Sequence, residues 1–148
     1  MALVEKSVLV PYSAEQMYLL VERVEDYPLF LPWCGGTKVQ KRDETGMEAT
    51  IVIRFHGITQ SFSTTNLHFP FERIDVRLKD GPFKNLDGDW RFIKLKDTAC
   101  KVAFRLEYSF SNVLLEALIG PVFHYIATTF IESFTRRAEA LYGLNAVK

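Results

Sequence analysis

Asn112 to Gly143 reads NVLLEALIGPVFHYIATTFIESFTRRAEALYG. Asn112 offers an N-cap and Gly143 a stop, so the stretch predicts one helix from about 112 to 142. At 1.5 Å per residue such a helix is about 45 Å long, enough to cross the concave face of a curled sheet. Ile119, Phe123, Ile126, Phe130, Phe134 and Leu141 form its apolar stripe. Gly120-Pro121 interrupts the stripe, and a proline inside a helix removes a hydrogen bond and crowds the preceding turn, which predicts a kink or a break. From Val113 to Ile131 only Glu116 and His124 interrupt the apolar character, a length close to a membrane span. Glu116, the Gly-Pro pair and the need of a preceding sheet for a cover favour a buried helix instead. A second apolar side would then meet a ligand, a partner or a membrane surface.

Upstream of Asn112 the apolar period changes to two. Val102, Phe104, Leu106, Tyr108 and Phe110 alternate with Ala103, Arg105, Glu107 and Ser109. Ile74, Val76 and Leu78 alternate with Arg73, Asp75 and Arg77, and Ala49, Ile51, Ile53 and Phe55 with Thr50, Val52, Arg54 and His56. Turn signals at Asp43 to Gly46, His56-Gly57, Pro70, Asp80-Gly81-Pro82 and Lys96-Asp97 separate the runs. The pattern predicts an antiparallel meander of six strands between Thr37 and Phe110, one face buried and one wet.

The N-terminal side completes the picture. Leu3 to Val10, ended by Pro11, reads as a further strand. Ser13-Ala14-Glu15-Gln16 has the spacing of a capping box, and Ala14, Met17, Tyr18, Val21 and Val24 follow at helical spacing. Pro28 and Pro32 end that helix, and Tyr27 to Trp33 predicts a second short helical turn, with Gly35-Gly36 as a loop. Residues 1–148 carry no linker, repeat or low-complexity segment, so one domain is expected. Its class is α+β: a curled antiparallel sheet of about seven strands wrapped around a long C-terminal helix, with two short helices after strand one.

Composition narrows the function. The 148 residues carry 18 basic and 18 acidic side chains, a formal net charge of zero without a Lys/Arg run. Phosphate contacts dominate nucleic-acid affinity, so this balance argues against non-specific binding of DNA or RNA and against DNA as a partner, with a local basic face left open. Aromatics make up 14%, with 12 Phe, enough to fill a core or to line a cavity. Cys34 and Cys100 stand far apart with no CxxC spacing, and the first ten residues are too short for a signal-peptide core. A cytoplasmic protein with free thiols is expected, with contact at the periphery of a membrane left open.

Catalytic motifs find little support. His56, His68 and His124 sit in separate elements without metal-ligand spacing, and no zinc-protease, nucleophile-elbow, Walker or dinucleotide pattern occurs. Asp87 and Asp89 flank Gly88, and a turn before a strand explains them more simply than a cation site. No enzyme, no metal and no required cofactor are expected.

Several segments together resemble a known family. They are Val10-Pro11-Tyr12-Ser13-Ala14-Glu15-Gln16-Met17, Tyr27-Pro28, Phe30-Leu31-Pro32-Trp33-Cys34 and Asp80-Gly81-Pro82-Phe83-Lys84. Gly88, Trp90, Phe92, Cys100, Phe104, Asn112, Gly120, Phe123, Phe134, Arg137-Ala138 and Tyr142 extend the match over almost the whole chain. The pattern is similar to the ribosome association toxin and coenzyme Q-binding protein family, within the START-related, polyketide cyclase-like group. The resemblance implies a helix-grip (START-like) fold with an apolar cavity between sheet and last helix. It implies two functions: binding ubiquinone or a similar isoprenoid in support of respiration, or binding the large ribosomal subunit and hindering subunit joining. It carries no catalytic motif, and an aromatase/cyclase-type enzyme ranks last because the inward strand faces read as nearly all hydrocarbon.

The leading expectation is therefore a hydrophobic small molecule, a quinone or lipid, bound by Trp90, Phe92, Phe104, Leu106, Tyr108, Phe123, Ile126 and Phe130. Trp90 is the wall residue whose indole N–H would reach a quinone carbonyl. A working site of this kind calls for a volume of about 300 Å³ or more. For ribosome contact, the candidates are the solvent-facing cations Lys38, Lys41, Arg42, Arg73, Arg77, Lys101 and Arg105.

Overall fold

The Ser13 side chain accepts the Gln16 N–H at 3.0 Å, and the Ser13 N–H donates to Gln16 Oε1 at 2.9 Å. This closed capping box starts α1, Ala14–Glu22. The computed structural model describes residues 2–143. A single 3₁₀ turn, Val24–Asp26, leads into the short α2, Tyr27–Phe30, where Pro28 sits in the first turn and its missing N–H costs nothing.

Seven strands follow the order expected: β1 Ala2–Val10, β2 Cys34–Asp43, β3 Gly46–Phe55, β4 Ile58–Phe69, β5 Arg73–Asp80, β6 Phe83–Lys96 and β7 Ala99–Phe110. They form one antiparallel sheet in the order β1-β7-β6-β5-β4-β3-β2. The meander pairs each strand with the next, and β1 closes on β7 from Ala2 opposite Tyr108 to Val10 opposite Cys100. His56 and Gly57 both adopt positive φ, 50° and 78°, the geometry of a tight hairpin turn between β3 and β4. Register shifts at Cys34/Gly36, Val39/Lys41, Ser63/Thr64 and Phe83/Asn85 bend the strands. Bulges of this kind raise the local twist and curl the sheet.

The helix α3, Val113–Tyr142, lies in the resulting concavity. Asn112 caps it, its side chain accepting the Leu115 N–H at 2.8 Å. Ile119, Phe123, Ile126, Ala127, Ile131, Phe134 and Ala138 are buried there. By length and composition α3 could span a bilayer; one face packs into the core, while Val113, Leu114, Leu118 and Tyr125 are exposed. The Tyr142 hydroxyl donates to the Gln16 carbonyl at 3.2 Å, tying the helix end to α1.

Four local expectations are corrected. Gly35 and Gly36 belong to β2, not to a loop, since pairing with β3 begins at Cys34 opposite Ile53. Asp87 and Asp89 lie inside β6, not in a turn, with their carboxylates on the outer face paired to Arg77 at 3.0 Å and Arg91 at 3.2 Å. Between them Gly88 passes so close to β7 that a Cβ would lie 2.3 Å from the Arg105 carbonyl oxygen. The helix continues through Pro121 without a break, with Ile119 and Phe123 buried on either side of it. Leu141 leaves the apolar stripe and faces solvent, since 3.6 residues per turn carry the buried face to Ala138 instead.

Candidate functional site

The concave face of the sheet and α3 enclose an apolar cavity. Trp90 and Phe104 from β6 and β7 meet Phe123, Ile126 and Phe130 from α3, with Leu106 beside them. Tyr27 and Trp33 close one side, and Phe62, Ile74 and Val76 another. The structure thus brings together six of the eight expected residues.

Phe92 and Tyr108 share the inward parity but stand outside the cavity wall. Phe92 packs edge-on against Tyr18 of α1, ring centroids 5.7 Å apart. Tyr108 packs on Phe123 at 4.7 Å, and its hydroxyl lies 3.2 Å from His124 Nδ1. Alternation assigns the face, but a curled sheet brings only its middle rungs against the cavity.

The volume is about 80 Å³, well below the expected 300 Å³. Aromatic rings have closed on one another: Trp90 and Phe104 at 4.6 Å, Phe104 and Phe130 at 5.6 Å, Trp33 and Phe130 at 5.8 Å. Close packing gains dispersion contacts that an open pocket forfeits. Any larger ligand has to part these rings.

Among the described residues no carboxylate, lysine, arginine or histidine lines the cavity. Tyr27 brings the only acidic hydrogen, and burial drives its phenol pKa far up while the hydroxyl donates to the Val21 carbonyl at 2.5 Å. Acid–base chemistry therefore has no group to run on in this wall. Burial likewise raises the thiol of Cys34 and takes that of Cys100 to about 11, so both stay protonated. Among the described residues no three His, Cys, Asp or Glu side chains gather as a metal site.

Polar residues do reach the cavity, from a strand that the sequence reading passed over. Thr64 and Asn66 of β4 are buried and line it, and Asn66 Oδ1 has no hydrogen-bond partner. His68, two residues on, is also buried, with Nε2 unpartnered and its ring edge-on to Tyr18 at 6.2 Å. The signal was present as three polar residues at alternate positions of Thr64-Thr65-Asn66-Leu67-His68. A buried amide left unsatisfied costs about 1–3 kcal/mol, so Asn66 stands out in a wall that is mostly hydrocarbon.

The outer face is charged but balanced. Arg42 pairs with Glu22 at 3.2 Å and with Glu25, and this pairing holds the Glu25 carboxyl below its ordinary range. Arg73 meets Asp75 at 2.9 Å, Arg77 meets Asp87 at 3.0 Å, and Arg105 meets Glu107. Of the seven candidate cations, Lys38, Lys41 and Lys101 form no ion pair among the described residues.

A family model described as polyketide cyclase / dehydrase and lipid transport matches residues 10–135. The ribosome association toxin RatA of Vibrio cholerae is 43% identical over 140 residues, covering 95% of this chain and 97% of that protein. The mitochondrial coenzyme Q-binding protein COQ10 homolog B of Xenopus laevis is 25% identical over 140 residues, covering 92% of this chain and 57% of that protein. Among solved structures, an 18 kDa protein from Caulobacter crescentus is 30% identical with a TM-score of 0.73, covering 97% of this chain and 99% of that one. A Streptomyces aromatase/cyclase superposes with a TM-score of 0.77 at 15% identity, covering 93% of each chain, a likeness of fold alone.

Proposed function

The chain belongs to the polyketide cyclase / dehydrase and lipid transport family, and from that membership we propose that it is a non-catalytic, cytoplasmic binding protein that associates with the large ribosomal subunit. The observation that carries this reading is the end-to-end match, 43% identical across 95% of the chain, to a protein named for ribosome association. The cavity wall supports the non-catalytic part, since it holds no acid, base or charged group.

Of the candidate cations, Lys38, Lys41 and Lys101 form no ion pair among the described residues and are the ones assigned to phosphate, whereas Arg42, Arg73, Arg77 and Arg105 are each paired with a carboxylate. About three phosphate contacts predict a shallow salt dependence, near a 20- to 50-fold loss of affinity between about 50 and 200 mM salt. Co-sedimentation with purified large subunits tests the proposal. Binding at low salt that weakens on this scale, and weakens further in Lys38→Glu/Lys41→Glu, supports it. No binding at low salt overturns it.

A second reading is favoured by the apolar cavity itself: binding of ubiquinone or a similar isoprenoid, as the name of the Xenopus relative suggests for that protein. Mass spectrometry of organic extracts from the purified protein tests it. A stoichiometric quinone supports this reading, and an extract free of quinone and lipid counts against it. An aromatase/cyclase role would need a polarising acid or base in the wall, and the lining supplies none.

A further inference from the structure

We propose that Asn66, with Thr64, forms the polar pole of the cavity and holds the hydroxyl of an uncharged amphiphile whose apolar body lies against Trp90, Phe104 and Phe130. This deepens the second reading above and rests on the cavity being a ligand site.

Three observations carry it. Asn66 is more than nine-tenths buried, lines the cavity, and its Oδ1 has no partner. Its neighbours across the sheet are Met47 on β3 and Val76 on β5, neither of which offers a side-chain hydrogen bond to an amide of this strength. Thr64, one inward position earlier, brings a buried hydroxyl to the same wall. The unpartnered atom is an acceptor, Asn66 Oδ1, so the group it lacks is a donor such as an O–H, and the Thr64 hydroxyl can donate in turn to that ligand oxygen.

The chemical class follows from what surrounds them. With no charged side chain in the wall, a carboxylate, phosphate or amine head would be buried without a counter-charge, which is strongly unfavourable. A neutral head remains. A volume of about 80 Å³ admits it only if ring neighbours such as Phe130 move aside. The two tryptophans of the chain, Trp33 and Trp90, both stand in the wall, so their indole resonances report occupancy directly.

The test uses two probes with the same carbon skeleton, 2,3,5,6-tetramethylphenol and durene, which differ in one hydroxyl. Each is titrated into the full-length protein while the indole N–H resonances of Trp33 and Trp90 are followed. Wild type should bind the phenol more tightly than durene. Asn66→Leu should weaken the phenol about tenfold and leave durene unchanged or tighter, and Thr64→Val should weaken the phenol about threefold. Thr64→Val keeps shape and volume, so it decides the matter should Asn66→Leu fail to fold. The phenol bound equally by wild type and both variants overturns the polar pole while leaving the cavity as a ligand site. If neither probe moves an indole resonance in wild type, the ligand reading falls and the proposal falls with it.

Discussion

Phe134, fully buried on α3, stands edge-on to the indole of Trp90 on β6, with ring centroids 5.1 Å apart and planes at 72°. Edge-to-face geometry of this kind sets the positive rim of one ring against the negative face of the other. Phe134 meets Tyr27 at 5.3 Å and Phe30 at 5.1 Å as well, so one side chain joins helix, sheet and α2.

Removing that junction should be costly. Phe134→Ala is expected to lower stability by about 3–5 kcal/mol, the range for a large aromatic lost from a packed core. Leu141→Ala, on the exposed side of the same helix, should stay within about 0.5 kcal/mol of wild type. Urea unfolding of the two variants makes the comparison. Similar losses for both would mean that α3 is not held through Phe134.

Trp90 packs against Phe92, Phe104, Phe130 and Phe134 at once. Trp90→Ala should therefore destabilise by about 3–5 kcal/mol, whereas Trp90→Phe, which leaves a smaller void, should cost about 1–2 kcal/mol and stay folded. The Phe variant also removes the indole N–H. If it retains bound quinone or lipid at the wild-type level, the indole contributes surface to the wall and no hydrogen bond. Should Trp90→Ala remain folded with a full ligand load, Trp90 lies outside the site.

His68 ties stability to pH. Burial is the main cause holding its pKa below the ordinary 6.5, with the Glu22 carboxylate pulling the other way. The folded state keeps the ring neutral while the unfolded chain takes up a proton at higher pH. The contribution is thus fully present above about pH 6.5 and is lost as pH falls from there toward the folded value. Unfolding free energies between about pH 7 and about pH 5 should drop more steeply for wild type than for His68→Gln. Equal slopes would show that another group governs this window.

Local chemistry in the sequence determined the elements. Caps at Ser13 and Asn112, the two-residue alternation of β3, β5 and β7, and the 3.6-residue stripe of α3 each follow from short-range hydrogen bonding and side-chain direction, and each lies where those signals put it. The same signals assigned Trp90, Phe104, Leu106, Phe123, Ile126 and Phe130 to one interior, and the cavity wall contains all six. Periodicity reports a face, however, and not a position along a curved surface. Which inward residues reach the cavity was decided by the bulges and by the close β6–β7 approach at Gly88, and these left Phe92 facing Tyr18 and Tyr108 facing His124. Volume was decided only in three dimensions too, because it is the remainder after rings from five or more segments have packed against one another, and here that remainder is about 80 Å³. The unpartnered amide of Asn66 belongs with these. Its inward parity was legible, but whether a neighbour across the sheet would satisfy it depended on register, and register set it between Met47 and Val76.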